Sequence, residues 1–116
     1  MIGVTVRLKE GALSHLRMAG HASPAAGPRG GNIVCAATTA VVRSCVEAIA
    51  ARPEVVVAAR GDEGELSVTV TGYPPDVAEW LRGVTEVLLV GVRRIADDSP
   101  DEISLTVEDE GVRNGS

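Results

Sequence analysis

The chain has 116 residues, 45% of them apolar, with two cysteines and a formal net charge of −5. That is one ordinary domain, long enough to bury a single core without metals or disulfides. With no Phe, one Tyr, one Trp and an acidic balance, it lacks the aromatic platforms and basic grooves of a general nucleic-acid binder.

At the amino terminus, Ile2, Val4, Val6 and Leu8 alternate with Gly3, Thr5 and Arg7, the pattern of a half-buried strand. Lys9-Glu10-Gly11 reads as a turn. A second strand follows, with Leu16 and Met18 on one face and His15 and Arg17 on the other, ending at Gly20, so the two strands form a hairpin. Ser23 to Gly31 holds two prolines and three glycines and reads as a mobile loop over residues 22–31. A helix is predicted from about Ile33 to Ala51, with Val34, Ala37, Val41, Cys45 and Ile49 on its buried face. Pro53 closes it. Val55 to Arg60 and Leu66, Val68 and Val70 make a second hairpin around Gly61–Gly64. A second helix starts at Tyr73-Pro74-Pro75-Asp76 and buries Val77, Trp80, Leu81, Val84, Leu88, Gly91 and Ile95. Ile103, Leu105 and Val107 form the last strand.

The order is ββαββαβ. It predicts an α+β domain over residues 1–108, with two helices packed on a mixed or antiparallel sheet, and a polar, disordered tail over 109–116. No apolar run is read as long enough to span a bilayer, and the amino terminus has no signal-peptide core. The expectation is a cytoplasmic protein with no membrane partner and reduced thiols.

The chemistry lies in two short blocks: Gly20-His21-Ala22, and Gly30-Gly31-Asn32-Ile33-Val34-Cys35-Ala36. Asn32 precedes the helical periodicity and is a good N-cap. That places Cys35 in the first turn, where the helix dipole favours a thiolate nucleophile. His21 leaves the end of a strand at the other side of the loop, placed to act as base and then acid. The amides of Gly30, Gly31 or Cys35 are candidate oxyanion donors. Cys45 reads as a core thiol and His15 as a surface residue. A zinc site from His15, His21, Cys35 and Cys45 has unfamiliar spacing, so no metal or cofactor is expected. Trp80 and Tyr73 read as packing residues, and the acidic groups around Asp62, Asp101 and Glu108 as solvated turns.

The two blocks resemble the signature of the ribosomal-processing cysteine protease family, Prp: Gly-His-Ala, a short loop, then Gly-x-Asp-Ile-Val-Cys-Ala and a later Ser. Gly20, His21, Ala22, Gly30, Ile33, Val34, Cys35 and Ala36 match it. Asn32 stands in place of Asp and Thr39 in place of Ser, and the loop is about two residues longer. The resemblance implies a His21–Cys35 catalytic pair, with Asn32, Gly30 and Gly31 supporting it. It also implies a homodimer that removes the amino-terminal leader of the twenty-seventh large-subunit ribosomal protein. Two other readings stay open on the residues alone. One is an inactive relative that binds a ribosomal protein or peptide; the other is a thiol sensor.

Overall fold

A computed structural model describes residues 1–20, 27–62 and 64–110, with residues 27–32 described by their backbone alone. Its elements are β1 (Ile2–Lys9), β2 (Ala12–Gly20), α1 (Gly27–Ala50), β3 (Val56–Asp62), β4 (Glu65–Gly72), a 3₁₀ turn (Pro75–Val77), α2 (Ala78–Asp98) and β5 (Ile103–Asp109). The strands form one sheet in the order β3-β4-β2-β1-β5. β5 lies parallel to β1 and every other pair is antiparallel. This is the expected α+β domain with a mixed sheet. The helix between β4 and β5 provides the crossover that a parallel pair requires.

One face of the sheet carries the core. Ala59, Val68, Leu16, Val6 and Val107 align across all five strands. Val6, Leu16 and Val68 in the middle are sealed, while Val107 at the edge strand is 37% exposed. Both helices bury onto the same cluster, α1 through Val34, Val42, Val46 and Ile49, α2 through Leu81, Leu88 and Val92. Each such side chain contributes about 1.5–3 kcal/mol. The opposite face presents Thr5, Arg7, Arg17, Ser67 and Thr69, none of them in the core. There Arg17 Nε donates to Glu65 at 2.9 Å. His15, expected as a solvated surface residue, is half-buried and bonds Thr69 Oγ1 through Nδ1 at 3.0 Å.

The helix stripes are rotated from those the sequence predicts. Thr38 and Thr85 are each 1% exposed, whereas Ala37, Val41, Trp80 and Val84 lie on the flanks. Hydroxyls hide cheaply in a helix when they donate to the carbonyl one turn back. Thr38 does so to Val34 at 2.8 Å and Thr85 to Leu81 at 2.7 Å. Thr85 Oγ1 also accepts the Leu13 amide at 3.0 Å, next to the register shift that leaves Leu8 opposite Leu13 and Arg7 opposite His15. The threonine thus ties the bulged strand to α2. Thr85→Val strands that buried amide and should cost about 1–3 kcal/mol, measured by urea unfolding; an unchanged midpoint would remove this role.

Two boundaries and one reading of length differ from expectation. α1 starts at Gly27, so residues 27–31 of the predicted 22–31 loop are helical, and residues 22–26 lie outside the described residues. β5 runs to Asp109 and the Glu110 amide bonds the Leu8 carbonyl at 2.8 Å, so the polar tail begins later, and residues 111–116 lie outside the description. Residues 33–50 are also, by length and composition alone, long and apolar enough to cross a membrane, contrary to the sequence reading. Here that length lies along the sheet, with Val34, Thr38, Val42, Cys45, Val46 and Ile49 buried.

Candidate active site

The first block begins at a corner that requires glycine. Gly20 ends β2 opposite Ile2 and donates its amide to the Gly64 carbonyl at 3.0 Å. Its φ is +99°, a conformation that L side chains rarely adopt. A Cβ there would lie on the Met1 carbonyl. Glycine is therefore demanded twice, by backbone conformation and by space. His21 is the next residue and lies outside the described residues.

The second block returns to the same end of the sheet. β3 starts beside Gly72, at the end remote from Gly20. α1 therefore runs back along the sheet with its amino-terminal turns toward the Gly20 end. Two acidic turns share that end: Asp62 and Glu65 flank Gly64, and the Glu102 carbonyl accepts the Ile2 amide at 2.8 Å.

Within α1, Asn32 is the sixth residue and Cys35 the ninth. Asn32 is therefore inside the helix rather than its N-cap, and Cys35 is not in the first turn. The sequence reading took three glycines and Pro28 as a break. Pro28, second in the helix, loses no hydrogen bond there, since first-turn amides have no helical partner. Gly30 and Gly31 weaken a helix by about 1 kcal/mol each, too little to stop one already anchored by packing. Two expectations fall with the boundary. The helix dipole acts mainly within the first turn, about 12 Å along the axis from Cys35. The Cys35 amide, expected as an oxyanion donor, is engaged with the Gly31 carbonyl by the i to i−4 pattern. At this end of the helix the amides of Gly27 and Arg29 have no such partner, and that of Gly30 is the first in the i to i−4 ladder.

Cys35 itself is half-buried at the margin of the core, two residues after Ile33, which is 63% exposed. Thr38, whose hydroxyl bonds the Val34 carbonyl, braces this turn. It was missed because a threonine counts as polar in a periodicity reading. Cys45 differs in every respect. It is buried, and that burial pushes its thiol pKa up. Ten residues on, it lies about 15 Å further along the axis. Among the described residues no three His, Cys, Asp or Glu side chains gather to hold a metal. A cleft of about 510 Å³ lies at the opposite end of the sheet, lined by Lys9, Leu13, Thr71 and Tyr73 among others. It contains neither cysteine and is remote from both sequence blocks.

The profile of the family described as Cysteine protease Prp matches residues 1–104. The chain belongs to that family. It is a cysteine protease, so a thiol must carry its chemistry. Among solved structures, SMU.848 from Streptococcus mutans superposes with a TM-score of 0.80 at 25% identity, covering 95% of this chain and 96% of its own. The ribosomal processing protease Prp of S. aureus, in complex with a substrate peptide, gives 0.75 at 22% identity, covering 93% and 100%. The same protein with a covalently linked product peptide gives 0.73 at 22% identity, again covering 93% and 100%. No curated protein sequence matches. These likenesses establish that the Prp fold spans essentially the whole domain. Of the two thiols this Prp chain offers, Cys45 is buried in the core, 8% exposed, and Cys35 is half-buried at its margin.

Proposed function

We propose that this Prp protease removes the amino-terminal leader of a ribosomal protein, with Cys35 as nucleophile and His21 as base and then acid. The observation that carries the assignment is the contrast between the thiols: Cys35 is the accessible one and sits on the helix that returns toward the strand end preceding His21. His21 takes the thiol proton as Sγ attacks the scissile carbonyl. The C–N bond then breaks, the amine leaving with the proton from the imidazole. A thioester to Cys35 remains. His21 deprotonates a water that attacks it, the C–S bond breaks, and the carboxylate leaves while the thiol regains its proton. The S. aureus relative, a ribosomal processing protease caught with a covalently linked product peptide, is consistent with such a covalent route. No metal or cofactor enters. The acidic turns at this end of the sheet supply a field that attracts a basic ribosomal protein. The place of action is the cytoplasm, where ribosomal proteins are made, and the working form is a homodimer.

On this reading the first two turns of α1 open when peptide binds, since the Cys35 amide reaches an oxyanion only when released from Gly31. Asn32 then becomes available as the cap of the shortened helix, and the released turns act as a lid. Gly30 and Gly31 keep the opening inexpensive. Replacing both with alanine stabilises the closed helix by about 2 kcal/mol in all, so kcat/KM should fall up to about 30-fold. Steady-state kinetics on a leader peptide would check this, and an undiminished rate would exclude the opening. The proposed activity is tested by incubating the enzyme with the leader-bearing ribosomal protein of the same genome. Mass spectrometry should show one cut at the leader boundary. An intact substrate would refute the proposed specificity.

A further inference from the structure

The sheet forks at the end remote from Cys35. β2 and β4 pair from His15 opposite Thr69 to Ala19 opposite Glu65, and no further. Beyond the fork β2 keeps to β1 as far as Ala12, and β4 keeps to β3 as far as Gly72. Each strand carries an extra residue where they part. Arg7 faces His15 but Leu8 faces Leu13, so Ser14 is the bulge of β2. Val57 faces Val70 but Val56 faces Gly72, so Thr71 is the bulge of β4. A bulge leaves its extra residue without an opposite partner and disrupts the ladder there. Ser14 and Thr71 both line the cleft of about 510 Å³ that occupies the fork. Ligand sites have volumes of about 300–1,000 Å³. Leu13, Val70 and Tyr73 supply its apolar lining. Nothing lies within 4 Å of a Cβ built on Gly72, which also lines it.

Three charged residues complete the lining: Lys9, Glu10 and Glu110. Among the described residues none of them makes an ion pair. Lys9 is the one cation on the lining, against two carboxylates. We infer that the fork is an exosite for an extended, lysine- or arginine-bearing segment of the mature part of the substrate; this rests on the ribosomal-protein reading above. The parted strands offer main-chain partners to an extended peptide, as sheet edges do. Leu13, Val70 and the Tyr73 ring receive the aliphatic stems of long cationic side chains. Glu10 and Glu110 meet their charged heads. A phosphate-bearing ligand fits less well, because Lys9 alone would face it beside two carboxylates. The reach is sufficient. β2 has nine residues, so the fork lies about 30 Å from the Gly20 corner. An extended chain spans that distance in about ten residues. One substrate can therefore be cut at one end of the sheet and held at the other. Such a hold binds substrate and transition state alike, so it acts on KM and leaves kcat alone.

The test uses the full chain with the double change Glu10→Lys, Glu110→Lys and, separately, Gly72→Leu, which fills the cleft without adding charge. None of the three positions is in the core, so each variant should fold, as far-UV circular dichroism would verify. Two substrates are compared: the leader-bearing ribosomal protein, and a peptide of about ten residues centred on the cut bond, which reaches at most about 18 Å to either side. On the whole protein both variants should raise KM about 10-fold or more at unchanged kcat. On the short peptide neither constant should move. Equal losses on both substrates, or no loss on either, would overturn the exosite. A loss in the charge variant without one in Gly72→Leu would also overturn it, by reducing the carboxylates to a general field. If neither substrate is cut, the proposed activity fails and the fork is tested by binding alone. Fluorescence anisotropy of the fluorescein-labelled mature ribosomal protein should then show binding to the wild type that both variants weaken. No binding, or equal binding by all three, would overturn the inference.

Discussion

Cys35→Ala should abolish leader cleavage, lowering kcat by at least about 10,000-fold while leaving the protein folded. The magnitude follows from what the sulfur does: without it no thioester forms, and what remains is the effect of binding on attack by water. The fold should tolerate the change because Cys35 is at the margin of the core, half-buried, with Val34 and Thr38 sealing the turn from inside. Unfolding stability should move by no more than about 1 kcal/mol. Cys45→Ala is the matching control. It removes a buried sulfur from the core and should lower stability by about 1 kcal/mol or more without stopping cleavage. His21→Ala should lower the rate comparably to Cys35→Ala, and the double variant should be no slower than either single one, because groups that act as a unit do not contribute additively. Additive losses would mean that His21 and Cys35 act apart. Full cleavage by Cys35→Ala would remove the nucleophile assignment altogether.

How much of this could be read in the sequence depends on which physical signal each residue carries. The strands were legible because Val4, Val6, Leu16, Val68 and Ile103 alternate with polar neighbours, and a sheet covered on one face by helices imposes that period. The helices were legible in number and place but not in rotation. Thr38 and Thr85 are core residues disguised as polar ones, and only the carbonyls of Val34 and Leu81, one turn back, make their burial affordable. The start of α1 was misplaced by about six residues because capping and glycine content are local signals. Asn32 is the best local cap, yet packing of the helix behind it decides where the helix begins. The site divides in the same way. Gly20, His21 and Cys35 stood out as a motif, but what Gly20 is for was invisible until the Met1 carbonyl was seen beneath it.

Gly20→Ala should be the most damaging single substitution outside the catalytic pair. Alanine at φ +99° carries a backbone penalty of about 1–3 kcal/mol. Its methyl also collides with the Met1 carbonyl. That obstacle is backbone rather than a flexible side chain, so relief means moving β1 or β2, for roughly another 1–3 kcal/mol. Domains of this size have about 5–15 kcal/mol in total, so the melting temperature should fall by about 10 °C or more. The location makes the effect on function larger than the effect on stability. The Gly20 amide holds the Gly64 carbonyl at 3.0 Å and Gly20 faces Ile2, so a shift here changes the direction in which the chain departs toward His21. A displacement near 1 Å of a reacting group costs on the order of 100-fold in rate. Thermal unfolding and kcat should therefore be measured together, well below the variant's melting temperature. A stable variant with normal kcat would show that the corner yields without moving the imidazole. A destabilised variant whose folded fraction is fully active would make Gly20 a fold residue only. The expected result is a loss of kcat in protein shown to be folded, because the strand end that glycine permits is the one from which His21 must start.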